Sequence, residues 1–167
     1  MDMYKQLLFS MDDSKVFEDD PISIAKIFTS NIPGGFILDV SPFESLLSSW
    51  LSLMNYYTLG DLYITTAISI VDQNTGKTKR LWSDNPVHAK LNLLEVLMAS
   101  TALPIAFEPR NITGYPGTFI DGGTGVDTLP VVALLQRPEV KTIYIIVYNS
   151  ALTSGGAHLP FPVKFSF

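Results

Sequence analysis

Residues 118–125 read TFIDGGTG, an apolar run followed by an acid and three glycines. The β-branched and aromatic residues at 118–120 predict a short strand. Asp121 follows directly, so its carboxylate lies at the C-terminal end of that strand, where α/β proteins bind ligands. Gly122 and Gly123 permit close backbone approach, which allows the turn to hold the carboxylate in one rotamer. The stretch indicates an α/β protein in which Asp121 is the candidate functional group, supported by Gly122 and Gly123.

Residues 121–125 have two further interpretations. Asp-Gly-Gly is a common turn, and in that interpretation Asp121 has a purely structural role. An Asp-x-Gly-Thr turn also surrounds a nucleotide phosphate in actin-like and sugar-kinase ATPases, where it lies between the two strands of a hairpin. Here Pro130 and a predicted helix follow the turn, and no second phosphate loop is evident. The ATPase interpretation is therefore disfavoured, and the structural one stays open.

Predicted strands alternate with predicted helices along the rest of the chain. The predicted helices span about residues 21–30, 41–57, 91–100 and 130–137, and a hairpin is predicted from residues 62–71 and 77–82. Residues 141–148 contain an unbroken apolar run, which predicts a strand covered on both faces. This alternation indicates the α/β class.

The helix at residues 41–57 has the clearest signals. Ser41 and Glu44 have the spacing of a capping box, and Pro42 fits the first helical position. Apolar side chains follow at 3.6-residue spacing. Stripes of this kind pack on a core more often than on lipid, so we predict a core-facing helix, with a lipid-contacting face as the alternative.

Composition favours one folded domain. Of the 167 residues, 47% are hydrophobic and 16% are charged, which predicts a sizeable core. The net charge of -5 gives little attraction for nucleic acid, so we predict no nucleic-acid partner. The absence of cysteine and the wide separation of His88 and His158 predict no metal site. No signal peptide or long apolar run is evident, so we expect a soluble or peripheral chain, with the cytoplasm as the working location.

A second stretch adds specificity to the acid motif. Residues 99–109 read ASTALPIAFEP, and residues 119–125 follow after a short loop. In order, spacing and residue type the two stretches resemble the patatin-like phospholipase family. In that family a helix ends in Ala-Ser-x-Ala-x-Pro, and a short strand delivers Asp-Gly-Gly or Asp-Gly-Ala. The resemblance covers about residues 35–150, including a strand pair with its Thr-Gly turn at residues 64–82.

The resemblance implies a fold, an activity and a catalytic residue. The implied fold is a patatin-like α/β/α sandwich with a mostly parallel sheet. The implied activity is hydrolysis of phospholipids or other acyl esters by a Ser-Asp dyad, in which Asp121 is catalytic and Gly122 and Gly123 support the motif. The implied substrate is a lipid or acyl ester, with peripheral membrane contact. No metal or organic cofactor is implied, because acyl transfer by a serine and an aspartate needs neither.

The chain departs from the family pattern in its nucleophile. Patatin-like enzymes carry a serine in Gly-x-Ser-x-Gly and an N-terminal Gly-rich oxyanion loop, and neither occurs in residues 1–167. We interpret residues 1–167 as a single, incomplete patatin-like domain that lacks this N-terminal portion, and we expect the chain alone to be inactive. The alternative is a non-catalytic remnant that binds lipid or a protein. An uncovered sheet edge would also favour self-association or pairing with the missing segment.

Four further expectations concern individual residues and the tail. Asp127 stands where the family often has Asn, so Asp127→Asn is expected to be nearly neutral. Ser100 lies at a predicted helix end, where a hydroxyl ordinarily bonds the backbone, so it is not expected to be a nucleophile. His88 and His158 are expected to be structural or solvated. Residues 151–167 are expected to form an irregular tail.

Overall fold

Two β-hairpins lie side by side in the sheet that carries Asp121. The computed structural model describes residues 18–19, 38–127 and 130–145. Its strands are β1 (Glu18–Asp19), β2 (Leu38–Asp39), β3 (Ala67–Asp72), β4 (Thr78–Trp82), β5 (Arg110–Ile112) and β6 (Tyr115–Asp121). Its α-helices are α1 (Ser41–Leu53), α2 (Leu93–Ser100) and α3 (Val131–Leu135), and 3-10 turns cover Leu59–Asp61, His88–Lys90 and Gly122–Thr124.

The hairpin of β3 and β4 confirms the sequence prediction. The Asp72 carboxylate accepts hydrogen bonds from the backbone N–H groups of Asn74 and Thr75, at 3.1 and 3.0 Å. Gly76 has a φ of 67°, which glycine adopts without the clash that a Cβ would cause. These contacts close the turn, and β3 and β4 then pair antiparallel.

The sheet is antiparallel, so the prediction of a mostly parallel sheet is wrong. The strand order is β4-β3-β6-β5, and each neighbouring pair in it is antiparallel. Parallel neighbours need a crossover connection, whereas β5 and β6 are joined by a tight turn at Gly114, whose φ is 79°. The chain therefore enters β6 in the direction opposite to β3, with Asp121 across from Ile70. The mixture of helices and strands still places the fold in the α/β class.

Helix α1 confirms the predicted helix but has a different cap. The N–H and the hydroxyl of Ser41 both donate to the Asp39 carboxylate, at 2.8 and 2.6 Å. Asp39 therefore takes the place of the predicted capping box. Glu44 instead pairs with Arg110 of β5, at 3.1 Å. The helix ends at Leu53, a turn earlier than the apolar spacing predicts.

The core forms where α2 packs across β3, β5 and β6. Asn92 begins α2 by accepting a hydrogen bond from the Glu95 N–H at 3.1 Å. The buried cluster comprises Leu51, Leu59, Ile70, Leu81, Leu91, Leu93, Val96, Ala99, Ile112 and Phe119. Leu51 belongs to α1, and Leu47 and Met54 pack against the same cluster. The apolar stripe of α1 therefore faces the core, as predicted.

Several predicted elements fall partly or wholly outside the described residues. The helix at residues 21–30 and the tail at residues 151–167 lie outside them. Of the strand predicted at residues 141–148, residues 141–145 form no strand, and the remainder lies outside. Helix α3 supports the prediction made for the residues after Pro130. Within the described part of the chain, no helix is long and apolar enough to cross a membrane.

Candidate active site around Asp121

Strand β6 ends at Asp121, where a glycine-rich turn begins. The Asp121 N–H donates to the Ala102 carbonyl at 2.9 Å, which ties the end of β6 to the loop after α2. The Asp121 carboxylate accepts a hydrogen bond from the Gly123 N–H at 2.6 Å, and the Asp121 carbonyl accepts one from the Thr124 hydroxyl at 2.6 Å. Asp121 is partly exposed. The turn thus fixes the Asp121 carboxylate on a residue that is partly exposed to solvent.

The glycines of this turn have separate steric roles. A Cβ on Gly122 would collide with the Ser69 carbonyl, and a Cβ on Gly125 would collide with the Thr78 hydroxyl. These two glycines therefore let the turn lie close against β3 and β4. A Cβ on Gly123 would instead lie 2.9 Å from Asp121 Oδ1, so Gly123 leaves room for the carboxylate itself.

Ser69 connects the turn to the end of α2. Its carbonyl accepts a hydrogen bond from the Ser100 hydroxyl at 2.9 Å. Its own hydroxyl donates to Asp127 Oδ2 at 2.8 Å. The Ser100 hydroxyl thus bonds the backbone of a neighbouring strand, in keeping with the structural role expected from its position at the helix end.

Asp127 ends the turn in an ion pair with Arg80. Its Oδ2 and Oδ1 accept hydrogen bonds from Nε and Nη2 of Arg80, both at 2.5 Å. The Asp127 side chain is fully buried, and the Arg80 side chain is 22% exposed. Hydrogen bonds from Arg80 lower the pKa of Asp127 below its usual value, whereas burial acts in the opposite direction. The two residues lie 47 positions apart, and sequence analysis missed the pair because no local pattern joins them.

The ion pair reverses the expectation that Asp127→Asn is neutral. Asn cannot balance the Arg80 charge, so we expect the variant to lose about 3 kcal/mol of unfolding free energy near neutral pH, the low end for a broken buried pair because Arg80 keeps some hydration. The pKa of Asp127 is lower in the folded state than in the unfolded state. The ionised carboxylate therefore contributes its full stabilisation above the unfolded-state pKa, and this stabilisation is lost as the pH falls through the folded-state pKa. The difference between the two proteins should therefore shrink in acid.

Urea unfolding at a series of pH values measures this difference. Asp84→Asn is the matched control, because Asp84 also forms a bidentate pair, with Arg137, but on an exposed part of the surface. The control should lose much less stability than Asp127→Asn. Equal losses in the two variants, or a loss in Asp127→Asn that does not change with pH, would contradict the assignment.

Most of the sequence matches one protein family. The sequence matches the model of the patatin-like phospholipase family over residues 4–135, more than half of its length. The chain belongs to the patatin-like phospholipase family. No curated protein matches the sequence. Family membership indicates lipid acyl hydrolysis as the broad activity and lipids as the substrate class.

An apolar pocket of this patatin-like chain is lined by α1, α2 and the loop after α2. Its volume is about 170 Å³, and its lining includes Phe43 of α1, Met98 of α2 and Phe107 of the loop after α2. Ala102 also lines the pocket, and its carbonyl accepts the Asp121 N–H. Ala102 therefore connects the pocket to the backbone of Asp121 at the end of β6.

His88, the histidine in the described part of this patatin-like chain, makes contacts that stabilise the fold. His88 Nδ1 accepts a hydrogen bond from the Trp82 N–H at 3.2 Å, and its ring meets Tyr115 edge-on with centroids 5.8 Å apart. Burial lowers the pKa of His88. His158 lies outside the described residues. Within residues 38–127 and 130–145, no group of three His, Asp or Glu side chains is placed to hold a metal ion.

Proposed function

We propose that the chain supplies the acid residue of a serine lipid acyl hydrolase, with Asp121 as the base for the serine hydroxyl. The observation that carries the proposal is the Asp121 carboxylate, which is partly exposed at the end of β6 and held by the Gly123 N–H at 2.6 Å. A serine hydroxyl is a poor nucleophile until a positioned base accepts its proton. The apolar pocket at Ala102 supports the same proposal, because an acyl chain is apolar.

The proposed reaction has two steps. Asp121 accepts the serine proton as the serine oxygen attacks the acyl carbonyl, and oxyanion donors stabilise the tetrahedral intermediate. The ester bond then breaks, and the proton passes to the leaving alcohol. In the second step Asp121 accepts a proton from water, which attacks the acyl-serine; the fatty acid leaves and the serine recovers its proton. These steps use a carboxylate, a hydroxyl and N–H donors, so the proposal includes no metal or organic cofactor.

This reaction requires a serine nucleophile. No Gly-x-Ser-x-Gly occurs in the 167 residues, and the Ser100 hydroxyl is bonded to Ser69. We therefore propose that the serine and the oxyanion donors belong to polypeptide outside these residues, either in a longer chain or in a bound partner chain. The chain would then be a single, incomplete patatin-like domain, completed by that polypeptide.

The second candidate function is lipid or protein binding without catalysis. The loop after α2 exposes 49% of Leu103 and 69% of Ile105. Ile105 has a φ of 74°, a costly conformation for a β-branched residue. Exposed apolar side chains in this loop would allow contact with a lipid surface or a protein even where no serine is supplied.

We expect the 167-residue chain alone to show no hydrolysis of short-chain aryl esters and no labelling by a fluorophosphonate probe. The reason is that a base without a nucleophile offers no covalent route. Adding a segment that carries the Gly-rich oxyanion loop and the Gly-x-Ser-x-Gly strand, elbow and helix of a patatin-like enzyme should produce both hydrolysis and labelling. The same segment with its serine changed to alanine is the control.

Two results would contradict the proposed function. Labelling of the chain alone that disappears after one Ser→Ala change would place the nucleophile within the 167 residues. If the segment binds, no hydrolysis appears and the chain still binds phospholipid vesicles, the second candidate function would be favoured.

A further inference from the structure

The turn after Asp121 starts at the end of β6 and crosses the sheet, where it contacts β3 and β4. It leaves β6 at Asp121, and Gly122 lies against the backbone of Ser69 in β3. Further along, the Val126 N–H donates to the Thr78 hydroxyl of β4 at 3.2 Å. The turn ends at Asp127, which is held by Arg80 of the same strand. The candidate base is therefore at one end of the turn, and a buried ion pair is at the other.

Hydrogen bonds also connect the ion pair to the backbone that holds Asp121. Asp127 accepts from the Ser69 hydroxyl, and the Ser69 carbonyl accepts from the Ser100 hydroxyl. Two residues after Ser100, the Ala102 carbonyl accepts the Asp121 N–H. The path from Arg80 thus returns, through β3 and the end of α2, to Asp121.

The ion pair of Arg80 and Asp127 anchors the far end of the turn, and a need for stability alone does not explain why this anchor is charged. Burying an ion pair removes both ions from water, and apolar residues of similar size often stabilise a fold equally well. A bidentate arginine-carboxylate pair differs in that it fixes direction as well as distance. Direction matters in this turn, because Gly122, Gly123 and Gly125 give its backbone little conformational restriction of its own.

We propose that Arg80 and Asp127 are positioning residues, which fix the far end of the turn so that the Asp121 carboxylate stays on the Gly123 N–H. The inference rests on the proposed function in so far as Asp121 is the base. Without the anchor, the glycine-rich turn samples other conformations, and the hydrogen bond between Asp121 and Gly123 is present for less of the time. Turnover then falls through misplacement of the base, with substrate binding unchanged.

The first test measures the Gly123 amide in the 167-residue chain and needs no hydrolysis. Arg80→Lys keeps the charge but removes the planar fork, so we expect hydrogen exchange of the Gly123 amide to increase about tenfold, as for loss of a hydrogen bond to a charged group. Exchange at the core amides of Leu81 and Phe119 should change much less. Arg137→Lys, which makes the same change in the exposed bidentate pair with Asp84, is the control and should leave Gly123 unchanged.

The second test measures turnover after addition of the serine-bearing segment. Arg80→Lys is expected to lower kcat by about 10- to 100-fold with KM unchanged, since a misplacement near 1 Å can cost that much. Arg137→Lys should leave both constants unchanged. If Arg80→Lys does not fold, Ser69→Ala takes its place; it removes one bond to Asp127, and a smaller change in the same direction is expected.

The outcomes separate this inference from the proposed function. Unchanged exchange at Gly123 in folded Arg80→Lys or Ser69→Ala would overturn the positioning role, whatever the hydrolysis assays give. Full turnover in Asp121→Asn would instead overturn the proposed function, while an exchange response at Gly123 would still support the anchoring of the turn. A fall in kcat with no exchange response at Gly123 would also overturn the inference, because the effect would then not pass through the turn.

Discussion

Asp121→Asn is expected to abolish hydrolysis by the chain combined with a serine-bearing segment. Asn is nearly the same shape as Asp and can keep the hydrogen bond from the Gly123 N–H, but it cannot accept the serine proton. Removal of a general base lowers turnover by about 10²- to 10⁴-fold, and by more when nucleophile and base act as a unit. The measurement is kcat for an acyl ester at equal concentrations of folded protein.

Asp84→Asn provides the matched control for this prediction. Asp84 is also a carboxylate at the protein surface, but its partner is Arg137, outside the turn that follows Asp121. Turnover by Asp84→Asn should match that of the unmodified chain. Undiminished turnover in Asp121→Asn would mean that Asp121 has only the structural role that a common Asp-Gly-Gly turn would give it.

Gly122→Ala is expected to cost about 3 kcal/mol of unfolding free energy, the upper end for overpacking. The added methyl group would collide with the carbonyl of Ser69. That carbonyl belongs to β3, a strand with a neighbour on both sides, and it accepts the Ser100 hydroxyl, so it cannot move aside cheaply. Urea unfolding followed by circular dichroism measures the loss.

Gly123→Ala is the natural comparison, one position further along the turn. Its methyl group would meet the end of the Asp121 side chain at 2.9 Å, and that side chain can rotate. We therefore expect a small loss of stability but a clear loss of turnover, because the carboxylate is displaced. Equal stability losses in the two variants would contradict the steric roles assigned to Gly122 and Gly123.

Local patterns predicted the elements that short-range contacts determine. Residues 72–76 combine a turn-forming acid with a glycine, and the hairpin forms there. The apolar spacing of α1 predicted a core-facing helix, and Leu51 is buried. The cap of α1 differed because Asp39, two residues before Ser41, competes with Glu44, which has Arg110 as a partner.

Strand direction and long-range charge pairs could not be obtained in this way. Alternating helices and strands fit parallel crossovers, but the same order also fits two hairpins placed side by side, and the choice depends on which edges pair. The Arg80 and Asp127 pair depends on that same arrangement, since the turn reaches β4 by crossing β3. The acid motif itself was recognisable because Asp121, Gly122 and Gly123 are contiguous.

The side-by-side hairpins have a consequence for the order of folding. Each hairpin closes over a short turn and can form from contacts between near neighbours in the chain. Pairing of β6 with β3 is different, because it joins Ile70 to Asp121 across β4, α2 and β5. Closing a longer loop costs more entropy and proceeds more slowly. We therefore expect the pairing that positions Asp121 to form late, so that a chain arrested before it would keep both hairpins but have no assembled site.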